Sequence, residues 1–142
     1  MSSDKIRAEL FGDPPFLTAS DAVDAAVCAE HDRRLVAGRN AVAGSTNLTP
    51  RARARLLALA GRFTTPVTML RFPQEVSDLL RQHAERGRPD VTAADVCAYA
   101  AIMRRDAGAD QLRSEGAAAV HDVPGRRQGV TPAEAAARFF FG

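Results

Sequence analysis

Apolar residues recur every three or four positions along most of the chain, and this spacing predicts amphipathic helices. The predicted helices span about 19–37, 50–62, 73–86, 92–106 and 132–139. A threonine precedes most of them, at Thr18, Thr49, Thr92 and Thr131. A threonine side chain at such a position accepts a hydrogen bond from an early helix amide that otherwise lacks a partner. The pattern therefore predicts an all-α fold with four to five helices.

Residues 67–72, VTMLRF, depart from the helical spacing. Their alternation is typical of a strand, with Leu70 and Phe72 on the face expected to be buried. Thr65-Pro66 before them is also a common way to begin a helix, so a helical turn stays open for the same residues. No second strand is visible in the pattern. A strand at 67–72 would therefore have to pair across a dimer, because a single strand is not stable alone.

Proline and glycine positions indicate how the chain is organised. We expect 1–17 to form a flexible acidic leader, 18–108 a helical core domain, and 109–142 a tail with a short C-terminal helix. The charge is uneven, because residues 1–32 carry a net −5 and residues 33–142 a net +7. A basic body of this kind is compatible with an anionic partner, although arginines on solvated helix faces explain it as well.

The stretch from residue 67 to about 106 resembles the ribbon-helix-helix (Arc repressor-like) family of DNA-binding proteins. The matching residues are Leu70, Arg71, Phe72, Pro73, Glu75, Val76, Asp78, Leu79, Arg81, Ala84, Glu85 and Gly87. The resemblance implies an intertwined homodimer whose paired strands lie in the DNA major groove. It also implies a set of DNA-binding residues, which are Val67, Met69 and Arg71 on the strand and Val91, Thr92 and Ala93 at the next helix start.

Catalytic and metal chemistry has little support in the sequence. Cys28 and His31 lie on one helical face and could begin a metal site with His83, Cys97 or His121, but no second pair has ligand spacing. The sequence contains neither G-x-x-x-x-G-K-[ST] nor G-x-G-x-x-G nor G-x-S-x-G. We therefore predict no catalytic residue, no metal site and no cofactor, and an enzyme remains unsupported.

The C-terminus is rich in phenylalanine. Phe139, Phe140 and Phe141 form a cluster that must be buried, either in the chain itself, in a dimer partner or in a protein partner. No stretch has the pattern of a signal peptide or of a membrane span, so we expect a cytoplasmic protein without membrane contact.

These observations lead to one main functional hypothesis and two alternatives. The main hypothesis is a small dimeric DNA-binding transcriptional regulator or antitoxin-like protein. The first alternative is an all-helical protein-interaction or assembly protein that binds no nucleic acid. The second is a small helical enzyme of specialised metabolism.

Overall fold

The computed structural model describes residues 20–44 and 46–139. Its helices are α1 (Ser20–Val36), α2 (Pro50–Arg62), α3 (Val76–Arg86), α4 (Ala93–Asp106), α5 (Ala109–Ser114) and α6 (Pro132–Ala136). Its strands are β1 (Thr68–Arg71) and β2 (Ala119–Asp122), and a short 3₁₀ turn spans Arg126–Gln128. The predicted leader 1–17 and the residues Phe140 and Phe141 lie outside the described residues. The chain divides into two compact units, which are described separately.

The first unit contains the described residues up to Asn47 together with Arg51–Thr65. Its buried residues include Leu59 and Ala60 on α2. The guanidinium of Arg53 is also buried, and it donates to the backbone carbonyl of Asn47 at 3.0 Å. A buried charge needs such a partner, because its desolvation otherwise costs several kcal/mol, roughly. Arg53 therefore fixes the loop that leads into α2.

Helix α2 ends in a backbone motif that usually requires glycine. The amide of Thr65 donates to the carbonyl of Ala60 at 2.9 Å, and the amide of Thr64 donates to the carbonyl of Gly61 at 3.1 Å. This is the hydrogen-bond pattern of a Schellman cap. Thr64 adopts a φ of 50°, which is costly for a β-branched residue. Helix α2 therefore ends at Arg62, in agreement with its predicted span, and Thr64 takes the left-handed position of the cap.

The second unit contains Leu48–Pro50 and the described residues from Pro66 onward. Its two strands are parallel and pair Thr68 with Ala119 through Arg71 with Asp122. The connection between them runs through α3, α4 and α5, as a parallel pair requires a long crossover. Helix α3 packs on α4, and α5 packs on β2. The buried apolar residues of this unit are Ala107, Leu112, Ala117 and Ala135.

Local signals in the sequence explain most helix boundaries. Thr92 with Asp95, and Thr131 with Glu134, form reciprocal capping boxes, which confirms those two predicted helix starts. Gly87 adopts a φ of 58° and ends α3, as a glycine at a helix C-terminus commonly does. Helix α3 begins at Val76 rather than at residue 73, because Glu75 is still extended.

The all-α prediction is wrong. The structure has six helices and a two-stranded parallel sheet within the described residues. The expected strand at 67–72 pairs with β2 of its own chain and in parallel, not across a dimer. Its predicted faces are also reversed, since Thr68 and Leu70 are exposed while Met69 and Arg71 are half-buried. Strand β2 escaped prediction because it is only four residues long and Val120 is its one β-branched residue, beside Ala119 and Asp122, which are depleted in strands.

Candidate functional site

The carboxyl ends of the two strands carry opposite charges. Arg71 is the last residue of β1, and its register partner Asp122 is the last residue of β2. The Nε atom of Arg71 lies 3.4 Å from Oδ1 of Asp122. The amide of Val123 donates to the carbonyl of Arg71 at 2.7 Å and extends the backbone pairing past the charged residues. The sheet therefore holds the guanidinium of Arg71 at a fixed place on this edge.

The Nε atom of Arg71 is buried but its approach to Asp122 does not have hydrogen-bond geometry. Within the described part of the chain this atom has no hydrogen-bond partner. Buried donors in folded proteins are nearly always bonded to protein, water or a ligand. The side chain as a whole is 21% exposed, so an oxygen atom of a small molecule could reach the guanidinium.

The loop after β2 presents a second arginine on a tight turn. The amide of Gly125 donates to Oε1 of Gln128 at 2.9 Å, and the amide of Gln128 donates to the carbonyl of Gly125 at 3.1 Å. Gly129 closes the turn with a φ of 68°, which glycine adopts without strain. We call 124–129 the basic loop, because its sequence PGRRQG holds two adjacent arginines.

One carboxylate connects the basic loop with α3. Asp78, in the first turn of α3, accepts a hydrogen bond from Nη2 of Arg81 at 2.7 Å. Nη1 of Arg127 lies 3.5 Å from the other oxygen of the same carboxylate. The side chain of Asp78 is 19% exposed, while those of Arg81 and Arg127 are mostly exposed. Two groups of ion-paired residues thus end or follow the strands on their carboxyl side, Arg71 with Asp122 and Asp78 with Arg81 and Arg127, and we call these five residues the carboxyl edge.

The residues that the resemblance expects to bind DNA lie in two elements, strand β1 with its preceding residue and the start of α4. Val67 precedes β1 and Met69 lies within it, both half-buried, and Arg71 faces Asp122. Val91 is half-buried, whereas Thr92 and Ala93 are exposed at the start of α4.

One carboxylate, that of Asp95, already accepts from a backbone amide at the start of α4, and a second, Asp90, precedes it in the chain. Oγ1 of Thr92 accepts from the amide of Asp95 at 3.1 Å, and the amide of Thr92 donates to Oδ2 of Asp95 at 2.8 Å. The backbone hydrogen bond from Thr92 lowers the pKa of Asp95. The hydrogen bond from Arg88 likewise lowers the pKa of Asp90, so both groups are ionised and oppose a phosphate.

The remaining sequence candidates are the phenylalanine cluster and the cysteines and histidines. The ring of Phe139 packs on the ring of His121 with centroids 5.5 Å apart, so this part of the phenylalanine cluster contacts its own chain. His31 is buried on α1, Cys28 is half-buried, and Cys97 is exposed. Among 20–44 and 46–139, no group of three or more potential ligands is close enough to hold a metal ion. No helix in these ranges is long and apolar enough to cross a membrane.

Comparison with protein families gives one match, to the family model described as AAA domain. The match covers residues 1–106, which is more than half of the 142-residue chain. The chain belongs to the AAA domain family. No curated protein matches the sequence. The AAA match includes β1, α3 and α4 and ends before α5, and it implies an α/β P-loop fold of the kinase-like class.

Membership in the AAA domain family overturns the ribbon-helix-helix prediction and the DNA-binding regulator derived from it. The resemblance failed because its matching residues describe only a strand that enters a helix and a glycine turn. A parallel α/β unit contains the same local sequence, since β1 also leads into α3. What separates the two folds is the strand partner, and that partner lies far along the chain in β2. The two alternative functions gain no support from the match either.

Of the residues at the carboxyl edge, sequence reasoning had singled out only Arg71 as a site residue. It missed Asp78, Arg81, Asp122 and Arg127. The basic loop carried the one usable signal, because two arginines between glycines follow a short apolar run. The run does not alternate over enough residues to predict a strand, so the sequence alone does not place this loop at a strand end.

Proposed function

We propose that this AAA domain is the nucleotide-binding part of a kinase-like P-loop protein, and that the phosphates of the nucleotide lie at the carboxyl edge of β1 and β2. Family membership supports the nucleotide. The location rests on a general property of α/β folds, in which ligands bind outside the carboxyl ends of the parallel strands.

The observation that carries the proposal is that β1 ends at an arginine and that two further arginines share a carboxylate in the elements that follow β1 and β2. Arg71, Arg81 and Arg127 supply positive charge, and the carboxylates of Asp78 and Asp122 balance only part of it. Arginine binds phosphate oxygens through parallel N–H donors, and such charge-assisted hydrogen bonds are roughly twice as strong as neutral ones.

The sequence also constrains which groups bind the phosphates. Residues 1–142 contain no G-x-x-x-x-G-K-[ST] motif, and the single lysine is Lys5. A P-loop lysine therefore does not come from this sequence. Among the described residues, the arginines of the carboxyl edge supply the positive charge that the proposal requires for phosphate binding.

Location and partners complete the proposal. We place the protein in the cytoplasm, where the free thiols of Cys28 and Cys97 stay reduced. A homodimer, and a protein partner at the phenylalanine cluster, stay predictions.

A binding experiment tests the proposal. The full chain is titrated with a fluorescent ATP analogue at low salt, alongside Arg71→Ala and the control Arg113→Ala. Arg113 is a matched control because it is also paired with a carboxylate, Asp110 at 3.3 Å, but lies on α5 before the amino end of β2. Circular dichroism verifies that each variant is folded.

The expected result is saturable binding by the wild type, weakened roughly tenfold by Arg71→Ala and unchanged by Arg113→Ala. Absence of binding by the folded wild type at low salt would contradict the proposal. Equal weakening by the two variants would show that binding follows net charge and not the carboxyl edge.

A further inference from the structure

Asp78 is shared by two guanidinium groups that reach it from different parts of the chain. Arg81 belongs to the same helix, whereas Arg127 lies 49 residues from Asp78 in sequence and approaches from the basic loop. The carboxylate is the least exposed member of the three side chains. One negative charge thus stands between two positive ones at the carboxyl edge.

This arrangement leaves most of the arginine donors available. A guanidinium carries five N–H donors, and Arg81 and Arg127 each direct only one recorded hydrogen bond to Asp78. Their side chains are 67% and 65% exposed, so the remaining donors face solvent. The pair therefore carries both the charge and the donors that a multivalent oxyanion requires.

The two contacts with Asp78 are not equivalent. The Arg81 contact, at 2.7 Å, has the length of a strong charge-assisted hydrogen bond, whereas the Arg127 contact, at 3.5 Å, is well beyond it. The turn that carries Arg127 is held by its own hydrogen bonds between Gly125 and Gln128 and does not depend on Asp78. Arg127 is thus held near the carboxylate by its loop and is weakly bound to it.

From this geometry we infer that Arg81 and Arg127 together bind the terminal phosphate of the nucleotide, and that Asp78 positions Arg81 and is displaced from Arg127 when the phosphate arrives. The inference rests on the proposed nucleotide-binding function and assigns one subsite within it. A terminal phosphate has three oxygens and close to two negative charges, so it outcompetes a single carboxylate at 3.5 Å. No covalent step is involved.

A second ion pair in the same unit shows what a purely local contact looks like. Arg113 and Asp110 on α5 are separated by one helical turn, and both are exposed. Such a pair contributes little to stability or binding. It provides matched controls, because Asp110→Asn and Arg113→Ala change the net charge by the same amounts as Asp78→Asn and Arg127→Ala.

The test uses inorganic tripolyphosphate and the full chain in isothermal titration calorimetry at low salt. Asp78→Asn removes the competing carboxylate and is expected to tighten binding severalfold, while Arg127→Ala is expected to weaken it roughly tenfold. Asp110→Asn and Arg113→Ala are expected to change it less than about twofold. Arg127→Gln is a second loop variant that retains hydrogen-bonding groups, and circular dichroism verifies folding.

The outcomes separate this inference from the proposed function. If Asp78→Asn weakens binding or leaves it unchanged, Asp78 does not compete with the phosphate and the inference is overturned. It is also overturned if the α5 variants shift binding as much as the Asp78 and Arg127 variants do. If tripolyphosphate follows the expected pattern while the ATP analogue fails to bind, the phosphate subsite stands and the nucleotide function is rejected.

Discussion

The two ends of the β1–β2 pair have the same backbone pairing and opposite side-chain chemistry. At the amino end, the amides of Ala118 and Ala119 both donate to the carbonyl of Val67, and the neighbouring Ala117 is buried. At the carboxyl end, the amide of Val123 donates to the carbonyl of Arg71, but the flanking side chains are charged. The backbone pairing thus continues to both ends, while apolar burial lies at one end and charged side chains lie at the other. Stability and ligand affinity should therefore respond to different substitutions.

The largest effect is expected on the apolar side. Leu112 on α5 is 3% exposed, and α5 packs on β2. Leu112→Ala should lower the free energy of unfolding by about 3 kcal/mol, because burial is lost and a cavity is left. Urea denaturation followed by circular dichroism measures this loss. Leu70→Ala is the control, since Leu70 on β1 is 36% exposed and should cost clearly less. Equal losses for the two variants would contradict the assignment of the core.

Arg71→Ala should change nucleotide affinity more than stability, in contrast to Leu112→Ala. We expect its nucleotide affinity to fall roughly tenfold, while the free energy of unfolding changes by less than about 1 kcal/mol. The partly exposed pair with Asp122 contributes little to stability in water. Measuring both quantities on the same preparation sharpens the contrast between the two ends. A large loss of stability without a change of affinity would make Arg71 a structural residue.

A cap substitution tests a part of the unit that lies at neither strand end. Thr92→Ala should cost about 1 kcal/mol, because α4 loses the hydroxyl that accepts from the amide of Asp95. Nucleotide affinity should not change. A matched variant is Thr131→Ala at the start of α6, which removes the same kind of cap. Thermal denaturation monitors both, and a loss of affinity in Thr92→Ala would revive α4 as a binding element.

The capping box of Thr92 and Asp95 also predicts how stability depends on pH. The hydrogen bond from the Thr92 amide lowers the pKa of Asp95 below its ordinary value of 3.8. The contribution of this carboxylate to stability is therefore complete above pH 3.8 and is lost as pH falls through the lower folded-state pKa. Urea midpoints measured on acidification should fall more steeply for the wild type than for Asp95→Asn. Parallel curves would contradict this coupling.

The smallest effect is expected at the C-terminal ring contact. Phe139→Ala removes the ring packed on His121 and should cost about 0.5 kcal/mol to 1 kcal/mol. Phe139→Leu, which keeps apolar bulk but no ring, should recover part of the loss. Thermal denaturation of the two variants separates these contributions. A change in oligomeric mass instead would move Phe139 to an interface.

Local chemistry could be predicted from the sequence, and long-range pairing could not. The caps at Thr92 and Thr131 follow from contacts within a few residues, so their spacing in the sequence contains the necessary information. The parallel pairing joins Thr68 to Ala119, and nothing in either short segment specifies the other. Ala119 and Asp122 in the four-residue β2 further weaken the strand signal, because a strand is recognised by β-branched and aromatic residues.

The residues of the candidate site divide in the same way, into those indicated by local sequence and those brought in by long-range contacts. Arg71 was singled out through the ribbon-helix-helix resemblance, which the family match overturns. The contact between Asp78 and Arg127 spans 49 residues and depends on the fold that brings the basic loop to α3. A phosphate-binding sequence motif would have indicated the ligand class early, but the sequence has none. The proposed ligand class therefore rests on the family match, and the proposed position of the ligand rests on the carboxyl ends of the strands.

The central claim is that nucleotide phosphates bind at the carboxyl edge and not elsewhere on the domain. Hydrogen–deuterium exchange of the full chain, with and without ATP, tests it most directly. We predict that ATP slows exchange in the segments around Arg71–Asp78 and Asp122–Val130, and leaves Ala109–Ala117 unchanged. Protection confined to α5 and the amino end of the strands, or no protection under conditions that saturate the fluorescent analogue, would contradict the account.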